Sequence, residues 1–305
     1  MSKPRSSWQD VHGIFLLNKP QGITSNLALQ KVRRIFNAKK AGHTGSLDPM
    51  ATGLLPCCFG DGTKVAGLML NADKIYIAEC EIGSQTDTGD VTGTVVETSD
   101  KMWLTELEIQ KAAQHLTGHI KQIPPMYSAL HHNGKRLYEL ARAGIVVDRP
   151  ARDVTIHHFT VLKVNNDKSK QRIQFEIKVS KGTYIRTLLE DFAKHCGTYA
   201  HMTALHRTEL GILKGGAMLT LHDLEAANNP YDLLQSMDTA LIEYDSLIFD
   251  SEKIQKLIYG QRFRCDYKPA IYRIYDEKKQ FIGLGESQSS GQFKVKNLFL
   301  KSYQC

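Results

Sequence analysis

Apolar and polar residues alternate with a period of two from Lys74 to Gly83, where Tyr76, Ala78, Cys80 and Ile82 share one side and Glu79 and Glu81 the other. The same alternation runs from Gln171 to Val179, with Ile173, Phe175, Ile177 and Val179 opposite Arg172, Gln174, Glu176 and Lys178. That is the period of side chains crossing a pleat, so both segments read as half-buried strands. Gly13 to Leu17 is a short unbroken apolar run and reads as a buried strand. Helical spacing appears from Ser25, with Ala28, Val32 and Ile35 on one face and Lys31, Arg33 and Arg34 on the other, and again in the stripe Ile185, Leu188, Leu189, Phe192 and Ala193. Thr105 to Leu116 carries explicit helix signals: a capping box from Thr105 to Glu108, a staple pair Leu104 and Ile109, and Gly118 just past its end. Asn228 to Tyr231 reads as a linker. Beyond it come a short helix, Ser251 to Tyr259, stopped by Gly260, and strand-like runs from 270 to 275, 281 to 285 and 292 to 300 that predict a small β unit. Strands mixed with helices, without strict βαβ alternation, predict an α+β main body.

Length and charge narrow the class. A chain of 305 residues can bury a full core. Its net charge of +7 is concentrated at one end: from Ser251 to Cys305 there are 8 Lys and 3 Arg against 5 acids. Such a segment is an electrostatic footprint for nucleic acid or another anionic surface, or else a solvated basic face. No apolar run is long enough to span a membrane and the first twelve residues hold no signal-peptide core, so a cytoplasmic protein is expected. The six cysteines show no C-x-x-C spacing, which points to reduced, structural thiols. Phosphate-cradling loops and a serine elbow are missing, since no G-x-x-x-x-G-K-[ST] or G-x-S-x-G occurs. His115 and His119 straddle a helix stop, and Asp87 to Asp90 has the wrong spacing for a calcium loop, so no metal and no cofactor are expected.

Three segments carry candidate chemistry. Gly42 to Gly53 places Asp48 among glycines, His43 and Pro49, a run that cannot be helix interior or central strand. Proline fixes the backbone beside Asp48, so the carboxylate is either presented to a ligand or caps a surface turn. Gln122 to Arg152 interleaves His131, Lys135, Arg136 and Arg142 with Tyr127 and Tyr138, the mixture of charge and rings that RNA recognition uses. Ser180 to Arg186 sits where a strand meets a helix, and extended backbone is expected through Tyr184. An arginine such as Arg186 beside an aspartate would hold it ionised and orient it.

Together these segments closely resemble the TruB family of tRNA pseudouridine synthases. The resemblance is carried by Lys19-Pro20-x-Gly22, Gly42-His43-x-Gly45-x-Leu47-Asp48-Pro49-x-Ala51-x-Gly53, Gln122-x-Pro124-Pro125-x-Tyr127-Ser128-Ala129 and Lys181-Gly182-Thr183-Tyr184-Ile185-Arg186. It implies a pseudouridine synthase fold: a central mixed, mainly antiparallel sheet flanked by helices, plus a small C-terminal PUA-like β-barrel. The implied division is a tail at 1–12, a catalytic domain at 13–245 with an RNA-gripping thumb insertion at 126–152, and a PUA-like RNA-binding domain at 246–305. It implies Asp48 as catalytic aspartate, Arg186 as its ion-pair partner and Tyr76 stacked on the target base. Tyr184 would line the same pocket, Leu205 would meet the uracil edge through its backbone, His43 would fill space left by displaced nucleotides, and Lys19 would support the Asp48 loop. His131, Lys135, Arg136, Tyr138 and Arg142 would grip RNA. The implied activity is conversion of uridine to pseudouridine at position 55 in the tRNA T loop; a tRNA-binding folding chaperone is a second reading that can hold beside it, and a monomer is expected. Two positions depart from the pattern: His131 stands where Lys is usual, and His206-Arg207 where a basic pair is usual.

Overall fold

The structure, a computed structural model, describes residues 8–167 and 169–299; Cys305 and the outermost parts of the expected tail and C-terminal domain lie outside these. β1 (Gly13–Lys19) is buried along nearly its whole length, as an unbroken apolar run requires. Thr24 caps α1 (Ser25–Ile35) by accepting the Leu27 N–H at 3.1 Å, and the helix buries Ala28, Leu29 and Val32. β2 (Ala41–His43) and β3 (Thr52–Phe59) flank the glycine-rich loop, and α2 (Gly62–Met69) follows. β4 (Lys74–Ile82) buries alternate residues as its pattern predicts, and β5 (Ser84–Thr86) and β6 (Val95–Thr98) form a hairpin. α3 (Glu106–His115) has both halves of its Thr105–Glu108 capping box in place. After β7 (Gly118–Gln122), the hairpin of β8 (His131–His132) and β9 (Lys135–Arg136) turns through Asn133 and Gly134, both at positive φ, and leads into α4 (Leu137–Arg142). Asn-Gly is the dipeptide that such a two-residue turn favours. β10 (Arg152–Asp167), β11 (Lys170–Val179), α5 (Ile185–His195) and β12 (Ala200–Leu210) complete this region. The chain ends with β13 (Leu213–Lys214), α6 (Leu221–Ala226), β14 (Ser246–Phe249), α7 (Ser251–Ile258), β15 (Phe263–Arg264), β16 (Ala270–Asp276), β17 (Phe281–Ser287) and β18 (Gln292–Leu298).

The backbone resolves into two compact units. One holds Pro49–Gly53 and Asn71–Gly211; the other holds the chain up to Asp48, Leu54–Leu70 and everything from Ile212 onward. In the first, the strand order β12-β4-β11-β10-β7 is antiparallel throughout, while Thr52 and Gly53 lie parallel to His206 and Arg207. The sheet is therefore mixed but mainly antiparallel, as expected. Phe175 is the hub of its core, 4.8 Å from the Phe159 ring and 5.1 Å from that of Phe192 on α5, both edge-on. Such pairs add about 0.5–1.5 kcal/mol beyond the area they bury.

In the second unit, Ile14 of β1 bridges Gln235, and Gln9 bridges Ala38. The stretch read as a linker is instead a fixed 3-10 turn, Pro230–Leu233. Its Tyr231 hydroxyl donates to Gln9 Oε1 at 2.8 Å and to the Phe36 carbonyl at 3.1 Å, and its ring lies 5.9 Å from that of Phe36. The small C-terminal β unit is present as the order β14-β16-β17-β18-β15, packed with α7 around Phe249, Leu257, Ile274 and Phe293. The pattern missed β14, whose four residues run parallel to β16. Gly283 allows the close approach of β18: a Cβ there would lie 2.1 Å from the Asn297 carbonyl oxygen.

Candidate active site

Asp48 lies in the loop between β2 and β3, which pair antiparallel with Gly42 opposite Cys58 and His43 opposite Cys57. Ser25, the first residue of α1, clamps the preceding position: its Oγ accepts the Leu47 N–H at 2.7 Å and donates to the Leu47 carbonyl at 3.0 Å. Leu47, Met50 and Ala51 are buried beneath the loop, while Asp48 is half-buried. A glycine-punctuated segment thus anchors itself through its apolar residues and leaves Asp48 half-buried. Lys19 is fully buried and donates to the carbonyls of Pro20 at 2.9 Å and Ile23 at 2.8 Å. Burial pulls its ammonium down to about 8, and the Asp48 carboxylate opposes that pull. Lys19 therefore braces the β1 exit within electrostatic reach of Asp48, and His43 lies half-buried on β2.

In the other unit, Tyr76 sits on the buried side of β4, opposite Arg207 of β12 and Ile177 of β11; Leu205 pairs with Ala78. Arg207 is 1% exposed, so its charge is built into the sheet. Gly53 makes room for it, since a Cβ at Gly53 would lie 2.4 Å from the Arg207 carbonyl oxygen. His206 shares a hydrogen bond of 2.8 Å with Thr52 Oγ1, and burial lowers its basicity.

Tyr184 is extended (φ −99°, ψ 112°) and is the N-cap of α5, as the sequence predicts. Gln122 at the end of β7 fixes it: Oε1 accepts the Tyr184 N–H at 2.8 Å and Nε2 donates to the Tyr184 carbonyl at 3.1 Å. Arg186, in the first turn of α5, is 5% exposed. Its Nη1 donates to the Thr88 carbonyl and its Nη2 to the Tyr127 carbonyl, each at 2.8 Å, and its Nε lies 4.0 Å from Asp90 Oδ2. Asp90 is buried, and its Oδ1 accepts from the Thr88 hydroxyl at 2.9 Å and the Thr92 N–H at 2.9 Å. Gly89 brings this turn against α5, because a Cβ there would lie 2.8 Å from Glu190 Oε1 and 3.4 Å from the Arg186 Cβ. Burial in turn raises the Glu190 carboxyl.

Sequence reasoning treated Asp87 to Asp90 only as a failed calcium loop, and it did not separate Gln122 from its motif. The available signal was a T-D-T-G-D run, whose short polar side chains bond nearby backbone and build tight turns. In the segment expected to grip RNA, His131, Lys135, Arg136 and Arg142 are exposed. Two guanidinium groups lie over the Tyr138 ring, Arg136 at 5.9 Å and Arg142 at 5.5 Å from its centre. Stacked cations of this kind keep a ring and two charges in one patch.

Three family profiles cover most of the chain. Residues 33–185 match the TruB family pseudouridylate synthase N-terminal domain, 186–249 the tRNA pseudouridylate synthase B C-terminal domain, and 246–299 the C-terminal region of pseudouridine synthase II TruB. A protein of Hydrogenovibrio crunogenus named tRNA pseudouridine synthase B is 44% identical over 97% of this chain and 96% of its own. A protein of the same name from Neisseria meningitidis serogroup A is 45% identical over 91% of each. Among solved structures, a Cbf5-Nop10-Gar1 complex aligns with a TM-score of 0.70 at 23% identity, covering 94% of this chain and 85% of the other, which supports the fold alone. The curled sheet of β14 to β18 is PUA-like. Matched by these profiles along most of its length, and 44–45% identical to two such relatives over more than nine-tenths of its residues, the chain belongs to the TruB family of pseudouridine synthases.

Proposed function

We propose that this protein converts uridine to pseudouridine at position 55 in the T loop of tRNA. The observation that carries the reading is the extended Tyr184 followed by the buried Arg186, in a chain whose relatives named tRNA pseudouridine synthase B match it over nearly its full length. The reaction breaks the bond from N1 to C1′, turns the uracil and joins C5 to C1′. N1 gains a proton and C5 loses one, so no water and no net redox change are involved. Asp48 is the catalytic carboxylate, whether it attacks C1′, adds to C6 or first removes a C2′ proton, and Arg186 is its ion-pair partner. The target nucleotide must leave its stack at a cost of a few kcal/mol, and stacking on Tyr76 returns about 1–3. Tyr184 and the Leu205 backbone hold the detached base, His43 fills the space of displaced nucleotides, and Lys19 braces the loop.

The thumb, residues 126–152, grips the T stem-loop through His131, Lys135, Arg136, Tyr138 and Arg142, and the PUA-like domain from 246 onward adds basic surface. In this reading the enzyme works as a cytoplasmic monomer that needs no cofactor. The exposed cationic patch around Tyr138 also favours a tRNA folding chaperone role, which an inactive variant would retain. The test is Asp48→Asn on an unmodified tRNA transcript with the modified position mapped. Pseudouridine at position 55 should vanish while tRNA affinity stays within a few-fold. Unchanged turnover, or modification at another site, refutes the assignment.

A further inference from the structure

A second basic stretch lies near the start of the chain, masked in the overall balance by acids elsewhere. Trp8 to Leu47 carries six Lys and Arg against one acid, Asp10. Two of the six are committed to the fold. Lys19 is buried at the β1 exit, and Arg33 donates through Nε to the Ala38 carbonyl and through Nη2 to the Lys39 carbonyl, each at 2.9 Å, and through Nη1 to Gln30 Oε1 at 3.3 Å. Those bonds hold the turn at 37–39, where Asn37 takes positive φ, against the end of α1. The same guanidinium lies 4.5 Å from the centre of the Trp8 ring, and the Lys39 N–H donates to the Gln9 carbonyl at 2.8 Å, so the indole is fixed beside that turn. Trp8 nevertheless stays 48% exposed.

The other four cations, Lys31 and Arg34 on α1 and Lys39 and Lys40 just beyond it, are all exposed, and among the described residues none is in an ion pair. Lys31 and Arg34 stand three apart and so are neighbours on the helix surface. A cation in the last turn complements the helix dipole, which accounts for Arg34. It does not account for Lys31, a turn earlier, or for the two lysines outside the helix. Uncompensated like charges repel one another, so such a patch suits a polyanion that brings many negative charges at once. An exposed indole beside it offers a face on which an unpaired base stacks, worth about 1–3 kcal/mol. Position selects RNA among polyanions. α1 begins at Ser25, whose hydroxyl clamps Leu47 next to Asp48, and Lys40 leads directly into β2 and the same loop. At a rise of about 1.5 Å per residue, Lys31 and Arg34 stand roughly 9 and 14 Å along α1 from that clamp, a distance over which a stem presents several phosphates. We propose that α1 and the turn after it form a further tRNA contact, distinct from the thumb and the C-terminal β unit. Lys31, Arg34, Lys39 and Lys40 neutralise phosphates of the stem next to the flipped nucleotide, and an unpaired base stacks on Trp8. The choice of tRNA as partner rests on the synthase reading.

Two measurements on the full chain test the contact. In the first, the wild-type protein is acetylated with an N-hydroxysuccinimide ester, with and without unmodified tRNA transcript, and labelled lysines are mapped by mass spectrometry. Bound tRNA should protect Lys31, Lys39 and Lys40. In the second, tRNA affinity is followed against salt by filter binding. Lys39→Ala with Lys40→Ala, and separately Lys31→Ala with Arg34→Ala, should each lower the log-log slope by about 1.4–1.8 and weaken binding at least about five-fold at about 0.1 M salt. Trp8→Ala should weaken binding without changing the slope, because a stacked base releases no counter-ions. Lysines labelled equally with tRNA bound, or wild-type affinity and slope in both double variants, overturn the proposal, and wild-type affinity in Trp8→Ala overturns the stack. If vesicles of phosphatidylglycerol protect these lysines and tRNA does not, the patch meets a membrane and the proposal is likewise overturned. Both measurements read binding rather than turnover. A chain that binds tRNA through this patch yet forms no pseudouridine upholds the contact and refutes the synthase reading; a chain that forms pseudouridine while both double variants bind as wild type does the reverse.

Discussion

Replacing Gln122 by Leu tests whether Tyr184 is held by a side chain 62 positions away. Gln122 is 2% exposed, and its amide makes two hydrogen bonds with one residue, one to each backbone polar group of Tyr184. Leucine fills the volume but leaves that N–H and that carbonyl without their partners, each stranded group costing about 1–3 kcal/mol. The total, about 2–4 kcal/mol after local relaxation, is below the 5–15 kcal/mol that typically holds a domain, so the fold persists. The thermal midpoint should drop by roughly 5–15 °C, given about 2–4 °C per kcal/mol for domains of this size. Single-turnover pseudouridine formation should fall at least ten-fold, because Tyr184 is also the hinge into the helix that carries Arg186. Gln122→Glu adds a sign test. The ionised carboxylate still accepts the Tyr184 N–H but faces the Tyr184 carbonyl, so its folded-state pKa is raised. The stability of that variant is fully present below the unfolded value of about 4.3 and declines as pH rises through the folded value. Wild-type midpoints and rates within two-fold for Gln122→Leu would show that this side chain does not position Tyr184.

Lys19 gives a pH prediction: its ammonium is lowered to about 8, first by burial. Single-turnover rates should therefore fall as pH rises past about 8, and Lys19→Arg should move that limb upward; an unmoved limb rejects Lys19 as its source. Stability has the opposite sign. A depressed folded pKa means that between about 8 and the ordinary lysine value of about 10.4 the unfolded chain binds more protons, so stability gains with pH, which urea titrations at pH 7 and 10 can check. Gly53→Ala puts a Cβ 2.4 Å from a backbone oxygen at φ +100°, and should cost at least about 3 kcal/mol in urea denaturation; an unchanged midpoint contradicts the close approach. Removing Lys135, Arg136 or Arg142 should flatten the log-log salt dependence of tRNA affinity by about 0.7–0.9 for each phosphate no longer neutralised, measured by filter binding; a slope unchanged in all three variants removes the thumb from the interface.

Much of this architecture is local and therefore legible. The alternation at Tyr76, Ala78, Cys80 and Ile82 put Tyr76 on the buried side of β4, and the stripe from Ile185 to Ala193 fixed where α5 begins, which leaves Tyr184 extended. The partners of Arg186 were not legible. Thr88 and Tyr127 lie 98 and 59 positions earlier, in turns with no periodicity, and meet the guanidinium only through the tertiary fold. β14 escaped because four residues give too few alternations to outweigh the turn residues around them. The supposed linker failed for a related reason: Asn-Asn-Pro composition marks a break in regular structure, and such a break can still be pinned by one tyrosine hydroxyl.

An aromatic residue is a poor opening for a helix, and the Tyr184 side chain makes no capping hydrogen bond to the first amides of α5. Ser or Asp at position 184 would supply one, worth roughly 1 kcal/mol in such places. Breeding this protein for heat tolerance would accordingly reward the loss of Tyr184 and, with it, the ring. If Tyr184 lines the pocket as proposed, durability and chemistry compete for that one residue.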